Sequence, residues 1–219
     1  MNIDTLHGKL LYKLANAPVN PFPFPHIYIR DFFPEDFFAE MMSNLPPAGD
    51  YSTGKSNYNG RQFANPANEA FAALRDPRFA QLAAAPFLPW LKERFPTGQV
   101  EPHFDLRLVR DRKHYAIGPH TDAPWKVLSY LFYLNGPYEY GTSIYLPKDR
   151  NFRCPGGPHH KFTDFTRIYT APFETNSVFA FFKTDQSFHG VEPIPIQCQR
   201  DVLLWNFYDT AARNGKNPP

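Results

Sequence analysis

The apolar run Val127-Leu-Ser-Tyr-Leu-Phe-Tyr-Leu134 follows closely on Gly118-Pro-His-Thr-Asp122, and together they constrain this chain most. A run of that length bounded by turn residues reads as a core strand. In the segment before it, His120 and Asp122 are two residues apart, and in an extended chain residues i and i+2 point to one face. An imidazole and a carboxylate then converge on one point, a pair suited to a divalent transition metal. The spacing alone is weak, because a surface histidine beside a turn aspartate explains it more often. Two side chains are also too few to hold a metal that keeps open positions for chemistry.

A third ligand is offered far along the chain by Phe188-His189-Gly190-Val191, another short extended run. Two histidines and one carboxylate make the facial set of non-heme Fe(II) oxygenases, which leaves coordination positions free. Eleven residues beyond His189 stands Arg200, at the start of Arg200-Asp-Val-Leu-Leu-Trp-Asn-Phe-Tyr208. Arg200, Val202 and Leu204 share one face of that run, and Leu203, Trp205 and Phe207 share the other. Both faces are largely apolar, so a strand covered on both sides is expected. A charged residue entering such a strand needs a partner or a ligand that acts as one, and a guanidinium fork fits a carboxylate.

With these residues in place, the second half, from about Arg107 to Tyr208, resembles the Fe(II)- and 2-oxoglutarate-dependent dioxygenases, closest to the prolyl-hydroxylase-like branch. The matching residues are His120-x-Asp122, Tyr133-Leu134-Asn135, Gly141-Thr142, His189-x-Val191-x-Pro193 and Arg200. Thr142 stands where the family often has a second glycine. The resemblance implies that His120, Asp122 and His189 hold Fe(II), that Arg200 binds the distal carboxylate of 2-oxoglutarate, and that Tyr133 hydrogen-bonds the same carboxylate. Ser129 and Leu131, on the face of Tyr133, would then line the same pocket. It further implies hydroxylation of a C–H bond with O₂, releasing succinate and CO₂, with ascorbate as a candidate reductant. Halogenating members lack the carboxylate ligand, so Asp122 points to hydroxylation. The implied substrate is peptidyl or a small molecule, such as a peptidyl proline, a free amino acid or a metabolite.

The chain has 219 residues, enough for one domain with a substantial core. We expect a single domain over 1–219: a helical N-terminal part with an edge strand over 1–99, a jelly-roll core over 100–209 and a tail over 210–219. The net charge of +2 and the lack of a basic block imply no nucleic-acid partner. The 22 Phe, 12 Tyr and 24 Pro favour a β core with many turns over a helical bundle. Two cysteines, Cys154 and Cys198, are too few for a disulfide framework and read as reduced thiols. The first residues do not read as a signal peptide, and no apolar run approaches the ~20 residues that span a bilayer. A cytoplasmic protein without membrane contact is therefore expected.

Along the chain, a helix is expected over Asp4–Ala17, started by Asp4 or Thr5, with Leu6, Leu10, Leu11 and Leu14 at helical spacing. His26–Arg30 reads as a strand, and Pro34 opens a helix over 35–44 whose Phe37, Phe38, Met41 and Met42 are core. Residues 49–66 read as a polar surface loop and a candidate lid. Helical pieces broken at Pro77, Pro86 and Pro89 fill 67–95. Strands are expected over 100–112, 127–135, 141–147 and 177–182 and at His189 and Arg200. His103 is expected to be structural or solvated, and Tyr115 to line the site. The polar stretch 148–164, with His159-His160, reads as a mobile insertion near the entrance; adjacent residues on a strand face opposite ways and do not readily clamp one metal. Together these elements predict an α+β chain, mainly β with N-terminal helices: a double-stranded β-helix, or jelly roll, backed by helices. Two other readings stay open: a non-catalytic jelly-roll module with the metal as a structural clip, and a cupin-type metalloenzyme that does not use 2-oxoglutarate. Neither needs the Arg200 fork.

Overall fold

Alternation along the central strands decides how this chain folds. In the computed structural model, which describes residues 1–53, 58–96 and 102–209, ten strands form two antiparallel sheets. The strands are β1 (His26–Ile29), β2 (Arg61–Ala64), β3 (Pro102–Asp111), β4 (Ile117–His120), β5 (Lys126–Tyr133), β6 (Ser143–Pro147), β7 (Phe165–Thr170), β8 (Ser177–Phe182), β9 (His189–Val191) and β10 (Arg200–Asp209). One sheet has the order β1-β8-β5-β10-β3-β2 and the other β4-β9-β6-β7. This is the expected double-stranded β-helix, with β1 and β2 of the N-terminal region supplying both edges of the larger sheet.

The faces divide as period 2 requires. Leu128, Tyr130 and Phe132 of β5 and Leu203, Trp205 and Phe207 of β10 pack outward into a cluster with the helices. Tyr133, Phe179, Phe181 and Val202 turn inward, joined by Ile144 from the smaller sheet. The helices covering the outer face are α1 (Ile3–Ala15), α2 (Glu35–Ser43), α3 (Ala72–Arg75), α4 (Pro77–Ala84) and α5 (Leu88–Arg94). Leu6, Leu10 and Leu14 of α1 are buried, while Leu11 is exposed. The cap of α1 is Asn2 rather than Asp4 or Thr5: its Oδ1 accepts from the Thr5 N–H at 2.8 Å, so the helix begins one residue earlier than expected. Pro77 opens α4 behind an Asp76 cap, because proline suits the first helical turn.

Three strands were absent from the expected set, β2, β4 and β7, and all three lie at sheet edges, β4 falling in the segment read only as extended around His120. The expected surface loop over 49–66 contains β2, which pairs with β3. All four of its residues are half-buried, so no apolar alternation marks it. Most of β7 is exposed, with the same consequence. The start of the strand expected at Val100, the centre of the candidate lid at 54–57 and the tail at 210–219 lie outside the described residues.

Trp205 anchors the sheet–helix layer. It is fully buried, with Phe79 and Tyr130 edge-on at 5.4 and 5.7 Å and Phe104 stacked at 5.8 Å. Its Nε1 has no hydrogen-bond partner among the described residues. Trp205→Ala is expected to cost about 3–5 kcal/mol through the cavity it leaves. Trp205→Phe should cost clearly less, because it also removes a buried unsatisfied donor. Equilibrium urea denaturation measures both, and equal losses would contradict this role.

Candidate active site

β4 and β9 are neighbours, and their register sets His120 directly opposite His189. His120 ends its strand and His189 begins one, so both imidazoles emerge at the same point, with ring centroids 4.3 Å apart. Asp122 does not continue the strand as simple alternation would have it. Its φ of 65° is left-handed, a conformation asparagine and aspartate tolerate better than most residues. That turn brings Oδ1 to 3.6 Å from His120 Nε2 and Oδ2 to 3.6 Å from His189 Nε2. One ligand atom from each of the three residues lies within 4.8 Å of the others, a grouping that could hold a metal ion.

The far ring nitrogens are already committed. His120 Nδ1 is 2.9 Å from the Gly118 carbonyl, and His189 Nδ1 is 2.9 Å from the Ser187 carbonyl. A carbonyl only accepts, so each Nδ1 carries the proton and each Nε2 presents its lone pair to the shared point. This is the outer-sphere arrangement that orients metal-binding histidines. Burial, then the neighbouring His120, pushes His189 down to about 3, so this imidazole is neutral at physiological pH. Burial alone would raise the Asp122 carboxyl, but the Lys126 ammonium beside it outweighs this and holds it well below the usual range. Lys126 Nζ lies 3.1 Å from Asp122 Oδ1, and Ser129 Oγ donates to Oδ2 at 3.2 Å.

The three residues open into a cavity of about 190 Å³ between the sheets. Leu131, Phe181, Val191, Val202 and Leu204 give it apolar walls, and Thr142, Ser129, Asn206 and Arg200 add polar groups. Arg200 is 1% exposed and sits with its guanidinium 4.4 Å from the centre of the Phe173 ring. Its Nη1 donates to Asp111 Oδ2 at 3.1 Å, and its Nε has no partner among the described residues. A buried donor without a partner is costly unless a ligand satisfies it.

The other residues singled out from the sequence divide between this cavity and elsewhere. Ser129 lines it, with its hydroxyl committed to Asp122. Tyr115 also lines it and is fully buried. Tyr133 stands one step behind: its hydroxyl donates to Thr142 Oγ1 at 2.9 Å, and Thr142 faces the cavity. Burial raises the Tyr133 phenol to about 12, so it stays protonated. His103 is exposed against Tyr208, away from the three ligands.

The stretch 148–164 is fastened onto the turn that carries His120 and Asp122. The His160 N–H donates to the Pro119 carbonyl at 2.9 Å, and Thr121 Oγ1 donates to the Cys154 carbonyl at 2.8 Å. A Cβ on Gly118 would lie 2.3 Å from the His160 carbonyl, so only glycine permits this approach. His159 lies beside His120, with ring centroids 4.7 Å apart, and its Nε2 is 3.3 Å from the Tyr58 hydroxyl. His160 turns away, against Phe152, Phe165 and Phe188.

Sequence reasoning missed Lys126, Tyr58, Arg61 and Asp111. Arg61, Asp111 and Arg200 form one lateral row across β2, β3 and β10, because Asp111 is in register with both arginines. The nearest signal was Lys126, four residues after Asp122. Nothing in the sequence marked the other three.

No protein-family model matches the sequence, and no curated protein matches it. Solved structures do. A prolyl hydroxylase from Trichoplax adhaerens, in complex with a hypoxia inducible factor peptide fragment, aligns at TM-score 0.56 and 14% identity over 99% of this chain and 94% of its own. A Pseudomonas putida prolyl-4-hydroxylase aligns at TM-score 0.52 and 17% identity over 93% and 98%. The non-heme α-ketoglutarate-dependent epimerase SnoN of nogalamycin biosynthesis aligns at TM-score 0.56 and 14% identity over 94% and 82%. In fold, the chain is thus similar to prolyl hydroxylases and other 2-oxoglutarate–Fe(II) oxygenases, with the jelly roll that they share.

Proposed function

We propose that this chain is a 2-oxoglutarate- and Fe(II)-dependent dioxygenase that hydroxylates a C–H bond of a peptidyl or small-molecule substrate. The observation that carries the reading is the grouping of His120, Asp122 and His189, with both Nδ1 atoms committed to carbonyls and both Nε2 atoms turned to one point. Two imidazoles and one ionised carboxylate fit Fe(II), and the cavity on the open side leaves room for further ligands. Iron held there would supply O₂ activation driven by oxidative decarboxylation of 2-oxoglutarate to succinate and CO₂.

The chain's own residues do the rest. Ser129 and Lys126 fix the orientation of the Asp122 carboxylate. Arg200 binds the distal carboxylate of the cosubstrate, in the cavity that Thr142 also lines. Leu131, Phe181, Val202 and Leu204 exclude water from the space between, which strengthens the electrostatic contacts made there. At about 190 Å³ the cavity is smaller than the roughly 300–1,000 Å³ of sites for drug-sized ligands. The body of the substrate therefore stays outside and only its reacting group reaches the metal. A peptide side chain meets that demand, as does a small metabolite. A peptidyl substrate is supported by analogy with the Trichoplax adhaerens neighbour and its bound peptide fragment. The cytoplasm, where Cys154 and Cys198 stay reduced, fits this reading; no helix among the described residues is long and apolar enough to cross a membrane.

The test is succinate release on incubation with Fe(II), ascorbate and 2-oxoglutarate, followed by a metabolite and peptide screen by mass spectrometry. Succinate formation and a substrate that gains one oxygen are expected. No succinate under any condition would favour the structural-clip reading, and a product of unchanged mass would favour epimerisation over hydroxylation.

A further inference from the structure

Arg61, half-buried, and the fully buried Asp111 and Arg200 form a chain of three charges, and all three line the cavity. The bonds are unequal. Asp111 Oδ1 accepts from Arg61 Nε at 2.6 Å, and Oδ2 accepts from Arg61 Nη2 at 2.9 Å, a two-bond fork. Arg200 obtains only the longer bond from Nη1, at 3.1 Å, to the Oδ2 that Arg61 already uses. Arg61 is itself fixed from the other side, with its guanidinium 4.0 Å from the centre of the buried Tyr115 ring. Among the described residues, two guanidiniums and one carboxylate leave one positive charge uncompensated, and the buried Nε of Arg200 has no partner.

We propose that Arg61 is a positioning residue for the cosubstrate: it clamps Asp111 so that the Arg200 fork stays open to an incoming carboxylate. The proposal rests on the reading of this cavity as a 2-oxoglutarate site. Asp111 lies opposite Arg200 in the β3–β10 register and is the only carboxylate among the described residues that pairs with it. Without Arg61, Asp111 is free to turn both oxygens onto Arg200. A carboxylate of the same chain competes at high effective concentration with any free dicarboxylate. Arg61 thus acts through Asp111, and its loss closes the site by self-occupation.

Calorimetric titration of 2-oxoglutarate into the Ni(II)-loaded protein tests this, with circular dichroism to confirm that each variant is folded. Arg61→Gln is expected to weaken 2-oxoglutarate binding by about tenfold or more, the scale of one charge-assisted bond. Its Ni(II) affinity should not change, and in turnover the loss should appear in KM for 2-oxoglutarate rather than in kcat. Arg61→Lys keeps the charge but only one of the two bonds, so it should fall between. The decisive variant is R61Q/D111N, which removes the clamp and the competitor together and is expected to recover binding close to the wild type. Wild-type affinity in Arg61→Gln overturns the proposal. So does a loss that R61Q/D111N does not recover, since Arg61 would then act directly or on the fold. If the wild-type protein binds no 2-oxoglutarate, the cosubstrate reading falls, and the proposal with it, which is distinct from a failure of Arg61 alone.

Discussion

His189→Ala is expected to abolish Fe(II)-dependent consumption of 2-oxoglutarate. The two remaining ligands come from one short turn and cannot fix a metal by themselves. The loss in metal affinity should exceed the roughly 10–100-fold that follows removal of an outer-sphere partner, because a ligand itself is gone. Asp122→Ala should behave alike for turnover. Neither change should unfold the protein. His189 is neutral, so its removal strands no charge, and the strand pairing at β9 is made by backbone groups. Circular dichroism of the metal-free variants and calorimetric titration with Fe(II) under anaerobic conditions separate the two effects. Near wild-type succinate production by His189→Ala would remove the metal assignment. Gross unfolding would instead point to a metal that staples the fold.

Arg200→Ala should leave metal binding intact and weaken 2-oxoglutarate strongly. Charge-assisted hydrogen bonds contribute roughly 1.5–3 kcal/mol each in net terms, and about 1.4 kcal/mol corresponds to one decade of affinity. Loss of the fork should therefore cost on the order of tenfold to a hundredfold or more. The variant is a clean one. Asp111 keeps both of its bonds to Arg61, so no buried carboxylate is left alone. Arg200→Lys should restore only part of the affinity, because an ammonium keeps the charge without the fork. Tyr133→Phe should cost less than either, since its hydroxyl reaches the cavity only through Thr142. A folded Arg200→Ala protein with unchanged 2-oxoglutarate affinity would move the cosubstrate elsewhere.

The central strands were legible because each carries a period of two over a stretch long enough to sort its faces. Leu203, Trp205 and Phe207 against the helices and Val202 toward the cavity follow from that period alone. His120 and His189 were legible as residue types, and their meeting needed only the β4–β9 pairing. Asp122 reached the same point by a left-handed turn rather than by alternation, a detail that residue identity hints at but does not fix. The edge strands β2 and β7 were not legible, since they bury no continuous apolar face. What depends on them was hidden as well. Arg61 reaches Asp111 only through the β2–β3 register, across fifty positions of sequence, and Tyr58 meets His159 across more than a hundred. Such pairs arise from strand neighbourhood, and no local pattern records it.

Anaerobic titration of 2-oxoglutarate into the Fe(II)-loaded wild-type protein, followed by visible absorption, tests the metal and cosubstrate assignments in one experiment. A saturable metal-to-ligand absorption band is expected in the wild type. It should be absent in His189→Ala, and in Arg200→Ala it should shift to at least tenfold higher 2-oxoglutarate. No band in a folded, Fe(II)-loaded wild-type protein, or an equal band in His189→Ala, would contradict the assignment of His120, Asp122 and His189 to an iron that binds 2-oxoglutarate.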